Sequence, residues 1–331
     1  MVTEAKSKID MPLLEVTGLS ISYHLASGVV RAVRELSLEI EPGESIALVG
    51  ESGSGKSTAA HALIGLLESN ARAETGEIRF EETLLRFEDP RSWRRLRGKK
   101  IGMVFQDARG ALNPVMTVGA QLMDALRAHQ QLSLRKARAL AAAMLAEAGI
   151  PDPVFCLRRY PIELSGGMCQ RVAIAIAICN QPRLLIADEP TSALDPSIQA
   201  QILDLLRKMK DRHGLALLLI SHDLALVAEM SDRVAVMYHG RIVESGAALE
   251  IFQRPAHPYT ASLIKCQADL NHHWDRRPLA AIAGSPPAGG EEFTGCAFAP
   301  RCPKADANCA KAVPPAASIS AGHWAACFKP D

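Results

Sequence analysis

The chain contains the stretch SIALVGESGSGKSTAAHALIGLL at residues 45–67. A short apolar run at 46–49 leads through GESGSGKS, residues 50–57, into an amphipathic helical pattern. An apolar strand, a glycine-rich loop and a helix in this order are the context that a phosphate-binding loop requires. A flexible Gly/Ser linker is the alternative, but linkers are not flanked by a buried strand and an amphipathic helix.

The loop carries the residue types that bind phosphate mainly through the backbone. Glycines at positions 50, 53 and 55 let backbone N–H groups turn toward phosphate oxygens. Lys56 is placed to reach the β- and γ-phosphates, and the Ser57 hydroxyl is placed to ligate Mg²⁺. An anion can therefore be bound without a strongly basic surface.

A second signal lies in RLLIADEPTSALD, where the apolar run 184–187 ends in Asp188 and Glu189. In an open parallel sheet, ligands bind at the edge where the strands end. We therefore expect Asp188 to hold Mg²⁺ and Glu189 to polarise a water that attacks the γ-phosphate. Two solvated acids in a surface loop are the alternative, which the presence of the phosphate-loop motif 132 positions earlier disfavours.

Between these signals lies LSGGMCQRVAIAIAI, residues 164–178, which resembles the signature motif of ABC transporter ATPases. Ser165, Gly166 and Gly167 precede a long apolar helical run, which gives a helix N-terminus with exposed backbone amides. In that family two cassettes bind head to tail, and each ATP lies between the phosphate loop of one and the signature of the other.

Two residues depart from the commonest family pattern. Met168 stands where many cassettes carry Gln, and Cys169 follows where a basic residue is frequent. Met at this place is common in the oligopeptide and dipeptide subfamily. We expect Cys169 to be a small packed hydrophobe.

The remaining family motifs follow in order. Gln106, in GMVFQDARGALNP, matches the glutamine that links the nucleotide site to the transmembrane partner, and Ser192 to Asp195 match a loop that communicates across the dimer. His222 follows a third apolar run and matches the histidine that contacts the γ-phosphate; by itself it would be taken for a core histidine. Tyr23 matches the aromatic on which adenine stacks, with a strand core residue as the alternative.

The resemblance implies a complete ATP site. Its catalytic residues would be Lys56, Gln106, Glu189 and His222. Its ATP contacts would come from Tyr23, Gly50, Ser52, Gly53, Ser54, Gly55, Lys56, Ser57, Thr58, Ser165, Gly166 and Gly167. Its Mg²⁺ ligands would be Ser57, Gln106 and Asp188.

We predict an α/β fold: a P-loop NTPase ABC cassette with an antiparallel β-subdomain, a helical insert and a Cys-rich C-terminal extension. The predicted division is a tail at 1–11, a RecA-like nucleotide core with the β-subdomain at 12–106 and 181–245, a helical subdomain with the signature at 107–180, and the extension at 246–331. In the insert, Ser133 is placed to cap a helix that Gly149 ends.

Composition limits the classes of protein and ligand. The 331 residues contain 37 Lys and Arg against 36 Asp and Glu, a net charge of +1, so no global field attracts nucleic acid or an anionic membrane. No apolar run reaches about 18 residues, and the first ten residues lack the apolar core of a signal peptide, so we expect a cytosolic protein. The basic run RSWRRLRGKK at 91–100 is either a solvated face or a nucleic-acid patch, and the first is favoured.

Cysteines are concentrated near the C-terminus, at Cys296, Cys302, Cys309 and Cys327, with gaps of 5, 6 and 17 residues. These gaps match neither the C-x-x-C pairs of a zinc ribbon nor ferredoxin spacing. Together with RPAHPYTASLI at 254–264, they resemble the C-terminal extension of oligopeptide/dipeptide import ATPases and, in part, of nickel-transporting relatives.

That resemblance implies a [4Fe-4S] cluster on the four cysteines, while zinc and no metal remain alternatives. A metal centre would staple a tail whose apolar content is too low to fold alone. Cys156, Cys179 and Cys266 are interpreted as packed hydrophobes, and His272, His273 and Trp274 as surface residues.

The resemblance as a whole implies the ATP-hydrolysing subunit of an ABC importer for oligopeptides or dipeptides, peripheral on the cytoplasmic face of the cell membrane. Its expected partners are a second ATPase subunit that is a paralogue, two transmembrane permease subunits and an external substrate-binding protein, with no nucleic acid. The alternatives are an ATPase of a nickel or other small-solute importer and a soluble ABC ATPase with an iron-sulfur regulatory tail.

Overall fold

The computed structural model describes residues 11–192, 194–266, 281–287 and 290–331. The strands are β1 Leu14–Leu25, β2 Gly28–Ile40, β3 Ser45–Val49, β4 Ala71–Phe80, β5 Thr83–Leu85, β6 Ile101–Val104, β7 Leu184–Asp188, β8 Ala216–Ile220, β9 Arg233–Tyr238, β10 Arg241–Ala247, β11 Ala317–Ser320 and β12 His323–Ala325. The α-helices are α1 Lys56–Ala62, α2 Pro90–Leu96, α3 Ala108–Ala111, α4 Val118–Arg127, α5 Leu134–Glu147, α6 Pro153–Cys156, α7 Gly166–Ile178, α8 Pro196–His213, α9 Leu224–Met230, α10 Ala248–Gln253, α11 Pro258–Lys265 and α12 Ala307–Lys311. Short 3₁₀ turns occupy Pro161–Glu163 and Ala299–Arg301.

The chain divides into two compact units. The first contains the described residues up to 13, Ile40–Ser45 and Glu88–Ile220, and the second contains Leu14–Glu39, Ile46–Phe87 and the described residues from 221 onward. The division predicted from the sequence, which follows motifs, stays a prediction. The surface interpretation of His272, His273 and Trp274 concerns residues outside the described part of the chain.

The first unit is built on three parallel strands. Strand β7 pairs with β6 on one side and with β8 on the other, in continuous register. Strands β7 and β8 are buried along their whole length, which explains why they read as apolar runs without alternation. The sequence interpretation of 184–187 and 216–220 as buried strands is confirmed.

Helices occupy most of the rest of the first unit. Helix α5 begins after Ser133, whose hydroxyl accepts a hydrogen bond from Lys136 N, and it is followed by Gly149 at φ 75°. The predicted cap and stop are therefore confirmed. In the basic run, Trp93 on α2 is only 1% exposed, so it is a core residue and not an aromatic platform among arginines.

The second unit contains an antiparallel sheet in the order β2-β1-β4-β5. The β1–β4 pairing runs from Leu14↔Phe80 to Tyr23↔Ala71, with register shifts around Ser20. This sheet is the predicted antiparallel β-subdomain. It positions Tyr23 near the end of β1.

The second unit also joins the phosphate-loop strand to the C-terminal tail. Strand β3 pairs in parallel with β9, and β9, β10, β12 and β11 continue as antiparallel neighbours. The tail strands therefore belong to the same sheet as the strand that leads into the phosphate loop.

A buried carboxylate fixes this attachment. Glu244, on β10, is 0% exposed and accepts hydrogen bonds from His323 Nε2 at 2.8 Å and from the backbone N–H groups of Ala256 and His257 at 2.7 and 2.9 Å. A buried carboxylate is tolerated only when its oxygens are hydrogen bonded in this way. Glu244 thus connects β12 and the segment before α11 to β10.

Aromatic packing completes the core of the second unit. Phe298, in the tail, is 1% exposed, and its ring lies 5.3 Å from that of Tyr238 and 5.4 Å from that of Tyr259. These edge-to-face contacts join the tail to β9 and α11. In the described residues, no helix has both the length and the apolar character needed to cross a membrane.

We expect Phe298→Ala to lower the free energy of unfolding by about 3–5 kcal/mol, because it removes a buried ring and leaves a cavity. Urea unfolding followed by circular dichroism measures this change. Phe328→Ala is the matched control, since Phe328 is 39% exposed and its loss should cost less than about 1 kcal/mol. Equal effects of the two variants would contradict the packing role of Phe298.

Candidate nucleotide-binding and catalytic site

The backbone of the phosphate loop packs closely against the backbone of two neighbouring strands. Gly50 and Gly55 have φ of 155° and 104°, and a Cβ there would lie 2.1 Å from Met237 O and 2.2 Å from Ala32 O. No side chain fits at such distances, so only glycine allows this path. The loop is therefore held in its turn by the neighbouring strands, with its amides available for an anion.

The Lys56 side chain is folded back along the loop. Its Nζ donates hydrogen bonds to Gly50 O at 2.8 Å and Glu51 O at 2.9 Å, and lies 3.4 Å from Ser54 Oγ. Lys56 is only 5% exposed, and these oxygens are carbonyl and hydroxyl groups rather than carboxylates. These contacts hold the ammonium along the backbone of the phosphate loop.

Two more residues of the predicted site belong to the second unit. Tyr23 is half-buried, with Oη 3.2 Å from Thr58 Oγ1 at the start of α1, so it is not a strand core residue. His222 is exposed in the segment between β8 and α9. Tyr23 is thus positioned beside the loop, while its role in adenine stacking stays a prediction.

The first unit brings together Gln106, Asp188 and Glu189. Asp188, the last residue of β7, is 2% exposed. Glu189 follows at φ 43°, a left-handed conformation that is rare outside glycine, and its N–H donates to Ile220 O at 2.9 Å. Gln106 Nε2 donates to Glu189 Oε2 at 3.0 Å.

The two carboxylates, those of Asp188 and Glu189, therefore lie in different environments. Asp188 ends a buried strand, whereas Glu189 is turned out of the strand by its backbone and held by an amide donor. Strained backbone of this type is found at sites where a functional side chain must be held in one direction. One buried acid suited to a cation and one oriented acid suited to a water are what phosphoanhydride hydrolysis requires.

The signature residues stand at the start of α7. Ser165 caps the helix by accepting a hydrogen bond from Met168 N, and Ser165 and Gly166 are exposed. A Cβ at Gly167 would lie 2.9 Å from Ile198 Cγ2, so glycine permits the approach of α8. Cys169 is 0% exposed with its thiol 3.5 Å from Pro161 O, in agreement with the packed role predicted for it.

The loop after Glu189 is also ordered by local hydrogen bonds. Ser192 Oγ donates to Glu189 O at 3.2 Å, and Asp195 caps α8 by accepting from Ile198 N. Hydrogen bonds from Ser197 and Ile198 lower the pKa of the Asp195 carboxyl. Ala193, inside this loop, lies outside the described residues.

Sequence reasoning missed the contacts of one phosphate-loop residue, Glu51, with two residues far along the chain, Tyr259 and Arg301. The Glu51 carboxylate accepts a bidentate pair from Arg301, at 2.7 and 3.0 Å, and the Glu51 N–H donates to Tyr259 Oη at 2.9 Å. Tyr259 lies in the stretch 254–264, whose sequence indicates only a family resemblance. No local pattern connects these positions.

Comparisons with known proteins identify the family of the chain. The profile of the ABC transporter family matches residues 33–192, and that of the oligopeptide/dipeptide transporter C-terminal region matches residues 243–309. A putative peptide import ATP-binding protein of Brucella abortus is 44% identical over 317 residues, which cover 96% of this chain and 94% of the relative. The chain belongs to the oligopeptide/dipeptide family of ABC transporter ATP-binding proteins.

Other members and solved cassettes extend the comparison. The oligopeptide transport ATP-binding protein OppD of Mycobacterium tuberculosis is 46% identical over 319 residues. The match covers 96% of this chain, and the chain therefore spans only 52% of that relative's length. A dimeric ATP-binding cassette in a post-hydrolysis state with ADP and Pi matches with a TM-score of 0.65 and 27% identity over 71% of this chain and 98% of that one. The cbiO1 protein of Clostridium perfringens, part of the ABC transporter complex cbiONQ, matches with a TM-score of 0.61 and 29% identity over 73% of this chain and 90% of that one. The fold is thus the predicted α/β P-loop cassette.

In this family member the tail cysteines surround one small pocket. Cys296, Cys302, Cys309 and Cys327 line a space of about 10 Å³, beside His257. Burial raises the pKa of the Cys296 and Cys327 thiols. Among the residues that the structure describes, no three His, Cys, Asp or Glu side chains are grouped closely enough to hold a metal ion.

The [4Fe-4S] cluster expected on the four cysteines therefore stays a prediction. The pocket between the thiols measures about 10 Å³ and its walls include apolar atoms, so a metal centre there requires the thiols to move apart. Of the other cysteines, Cys156 and Cys179 are buried as predicted, whereas Cys266 is half-exposed.

We expect Gly55→Ala to abolish tight nucleotide binding, raising the Kd for Mg-ADP at least about tenfold, because its Cβ would collide with Ala32 O at 2.2 Å. Isothermal titration calorimetry measures this Kd. Gly53→Ala is the matched control, since Gly53 also has a positive φ, 78°, but a Cβ there meets nothing within 4 Å. If both variants bind alike, close packing is not what requires Gly55.

Proposed function

We propose that this chain hydrolyses Mg-ATP and couples hydrolysis to the uptake of oligopeptides or dipeptides through an ABC importer. The observation that carries the proposal is the pairing of Gln106 with Glu189 at 3.0 Å beside the buried Asp188. The glycine-rich loop with Lys56 supplies the phosphate-binding chemistry. Relatives described as peptide import and oligopeptide transport ATP-binding proteins supply the substrate class.

Each residue has one role in the proposed reaction. Lys56 stabilises the charge that develops on the transferring phosphoryl group, and Glu189 orients or deprotonates the water. His222 and Gln106 complete the surroundings of the γ-phosphate. Mg²⁺, when bound by Ser57, Gln106 and Asp188, would neutralise phosphate charge. The adenine would stack on Tyr23.

The proposed active form is a head-to-tail pair of ATPase subunits. The exposed Ser165 and Gly166 support this form, because exposed amides at the start of α7 can bind the nucleotide of a second cassette. Dimeric cassettes among the similar structures support the same arrangement. The second subunit is proposed to be a paralogue of this chain.

The proposed membrane partners are two permease subunits, each contributing a short helix. Exposed apolar side chains in the first unit support this docking: Val115 is 80% exposed, Ile162 77% and Phe155 53%. Phe155 also lines a cavity of about 520 Å³ that includes Met168 and Leu164, next to the signature. Apolar surface of this kind marks a binding face.

With these partners, the chain is proposed to lie at the cytoplasmic face of the cell membrane. An external substrate-binding protein would deliver peptide to the permeases. We propose no nucleic-acid partner, because Trp93 in the basic run is buried and the net charge is +1. A nickel importer is the second candidate substrate class, since the resemblance of the tail extends to that group.

We expect Glu189→Gln to reduce ATP turnover by about a thousandfold and to accumulate an ATP-bound dimer, because the amide cannot take a proton from water. Turnover is measured by phosphate release, and dimerisation by light scattering in Mg-ATP. Glu88→Gln is the control, since Glu88 is exposed and belongs to the same unit. Turnover in Glu189→Gln as fast as in the control would remove Glu189 from the proposed role.

We also propose that the tail cysteines bind a metal centre that staples the extension, with [4Fe-4S] as the favoured identity. The observation in favour is that all four thiols line one pocket although they are spread over residues 296–327. Thiolate donors suit iron-sulfur clusters and zinc. Because ligand thiols must lose their protons, metal binding would have to offset the raised pKa values of Cys296 and Cys327 and widen the pocket.

Metal and sulfide analysis of anaerobically purified protein tests this second proposal. We expect about four irons and four sulfides per chain, with loss of both in Cys302→Ser and retention in the control Cys266→Ser, which is outside the pocket. Stoichiometric zinc would keep the staple but exclude the cluster. A metal-free protein with an ordered tail would overturn the proposal.

A further inference from the structure

The phosphate loop contains an acidic residue at a position where negative charge opposes phosphate binding. Glu51 directly follows Gly50, and its carbonyl accepts a hydrogen bond from Lys56 Nζ at 2.9 Å. An uncompensated carboxylate there would repel a polyphosphate and attract the ammonium that should meet it. The loop therefore needs something to neutralise and orient Glu51.

Arg301 supplies that charge from the tail. Its two terminal nitrogens bind the two Glu51 carboxylate oxygens at 2.7 and 3.0 Å, and its side chain is 5% exposed. Arg301 Nε donates to Ala283 O at 2.9 Å, and Arg301 Nη1 lies 3.3 Å from Tyr238 Oη. A planar guanidinium held on both sides fixes a carboxylate in orientation as well as in charge.

Tyr259 fixes the main chain of the same residue. The Glu51 N–H donates to Tyr259 Oη at 2.9 Å, and Tyr259 is 0% exposed. His257 holds this tyrosine in place by accepting the Tyr259 N–H at Nδ1, and burial lowers the pKa of His257 to about 4, which keeps that acceptor neutral. The amide, side chain and carbonyl of Glu51 are thus all engaged.

The position of Arg301 depends on how the tail folds. Arg301 N donates to Phe298 O at 2.9 Å, and Cys302 N donates to Ala299 O at 3.2 Å, so the guanidinium projects from a tight turn between two of the pocket cysteines. Phe298 anchors that turn in the core of the second unit. A change in the tail fold would therefore move the counterion of the phosphate loop.

We propose that Arg301 and Tyr259 are positioning residues for the phosphate loop, through which the fold of the C-terminal tail sets the affinity for nucleotide. The inference rests on the proposed function, since it concerns the nucleotide of that same site. It assigns to the tail a role in nucleotide binding that is separate from any metal it holds. Neither residue belongs to a nucleotide-binding motif of the sequence.

Calorimetric titration of the full chain with Mg-ADP tests the proposal. We expect Arg301→Gln to raise Kd about tenfold, because Glu51 loses its counterion, and Tyr259→Phe to raise it about threefold, because the ring stays and only the hydroxyl acceptor is lost. Arg34→Gln is the matched control: Arg34 also pairs with the tail, donating to Glu292 at 2.8 and 3.3 Å, and its side chain is 9% exposed. We expect its Kd within about twofold of wild type.

A charge cycle separates positioning from general loosening of the tail. When Glu51→Gln is added to Arg301→Gln, the neutral amide no longer needs a counterion, so we expect Kd to recover to within about threefold of Glu51→Gln alone. Kd equally weakened in Arg34→Gln, or no recovery in the double variant, would overturn the inference. The same holds if Tyr259→Phe and Arg301→Gln both bind like wild type.

The two proposals fail in different ways. Wild-type protein that binds no Mg-ADP would overturn the proposed ATPase function and this inference with it. Wild-type binding with an unchanged Kd in Arg301→Gln would overturn this inference alone and leave the ATPase assignment standing.

Discussion

The phosphate loop can reverse direction only by bringing its backbone against the carbonyl oxygens of Met237 and Ala32. This constraint excludes side chains at Gly50 and Gly55 and forces the loop to be held by contacts from outside its own motif. Strands β2 and β9 supply the two carbonyl oxygens, and the C-terminal tail contacts the loop at Glu51 through Arg301. The second unit is thus organised around a piece of backbone that has little conformational freedom of its own.

The two adjacent carboxylates at the end of β7 are positioned in a different way. Asp188 is positioned by belonging to a buried strand, whereas Glu189 needs a left-handed backbone and an amide donor, Gln106, to leave that strand in a defined direction. Burial alone places the first, but strain and a hydrogen bond place the second. Adjacent residues of one motif therefore obtain separate chemical environments.

Local signals explain what could be predicted from the sequence. The strand at 184–188, the cap at Ser133 and the loop glycines depend on neighbours within a few residues, so their patterns are visible in the chain. The Glu51–Arg301 pair joins residues 250 positions apart, and nothing in either neighbourhood indicates the other. For the cysteines, the spacing matched no known metal-site pattern, and only the family resemblance predicted that the four thiols share a site; they line one pocket of about 10 Å³.

The distance along the chain between Glu51 and Arg301 also has a consequence for biosynthesis. A ribosome adds Glu51 to the chain 208 residues before Tyr259 and 250 residues before Arg301, so these two contacts become available only after those residues have been made. Long-range contacts of this kind form late, because loop closure comes first. Nascent chains halted before the tail thus carry a phosphate motif with an unneutralised carboxylate, and nucleotide has less power to stabilise them against proteolysis than it has for the finished protein.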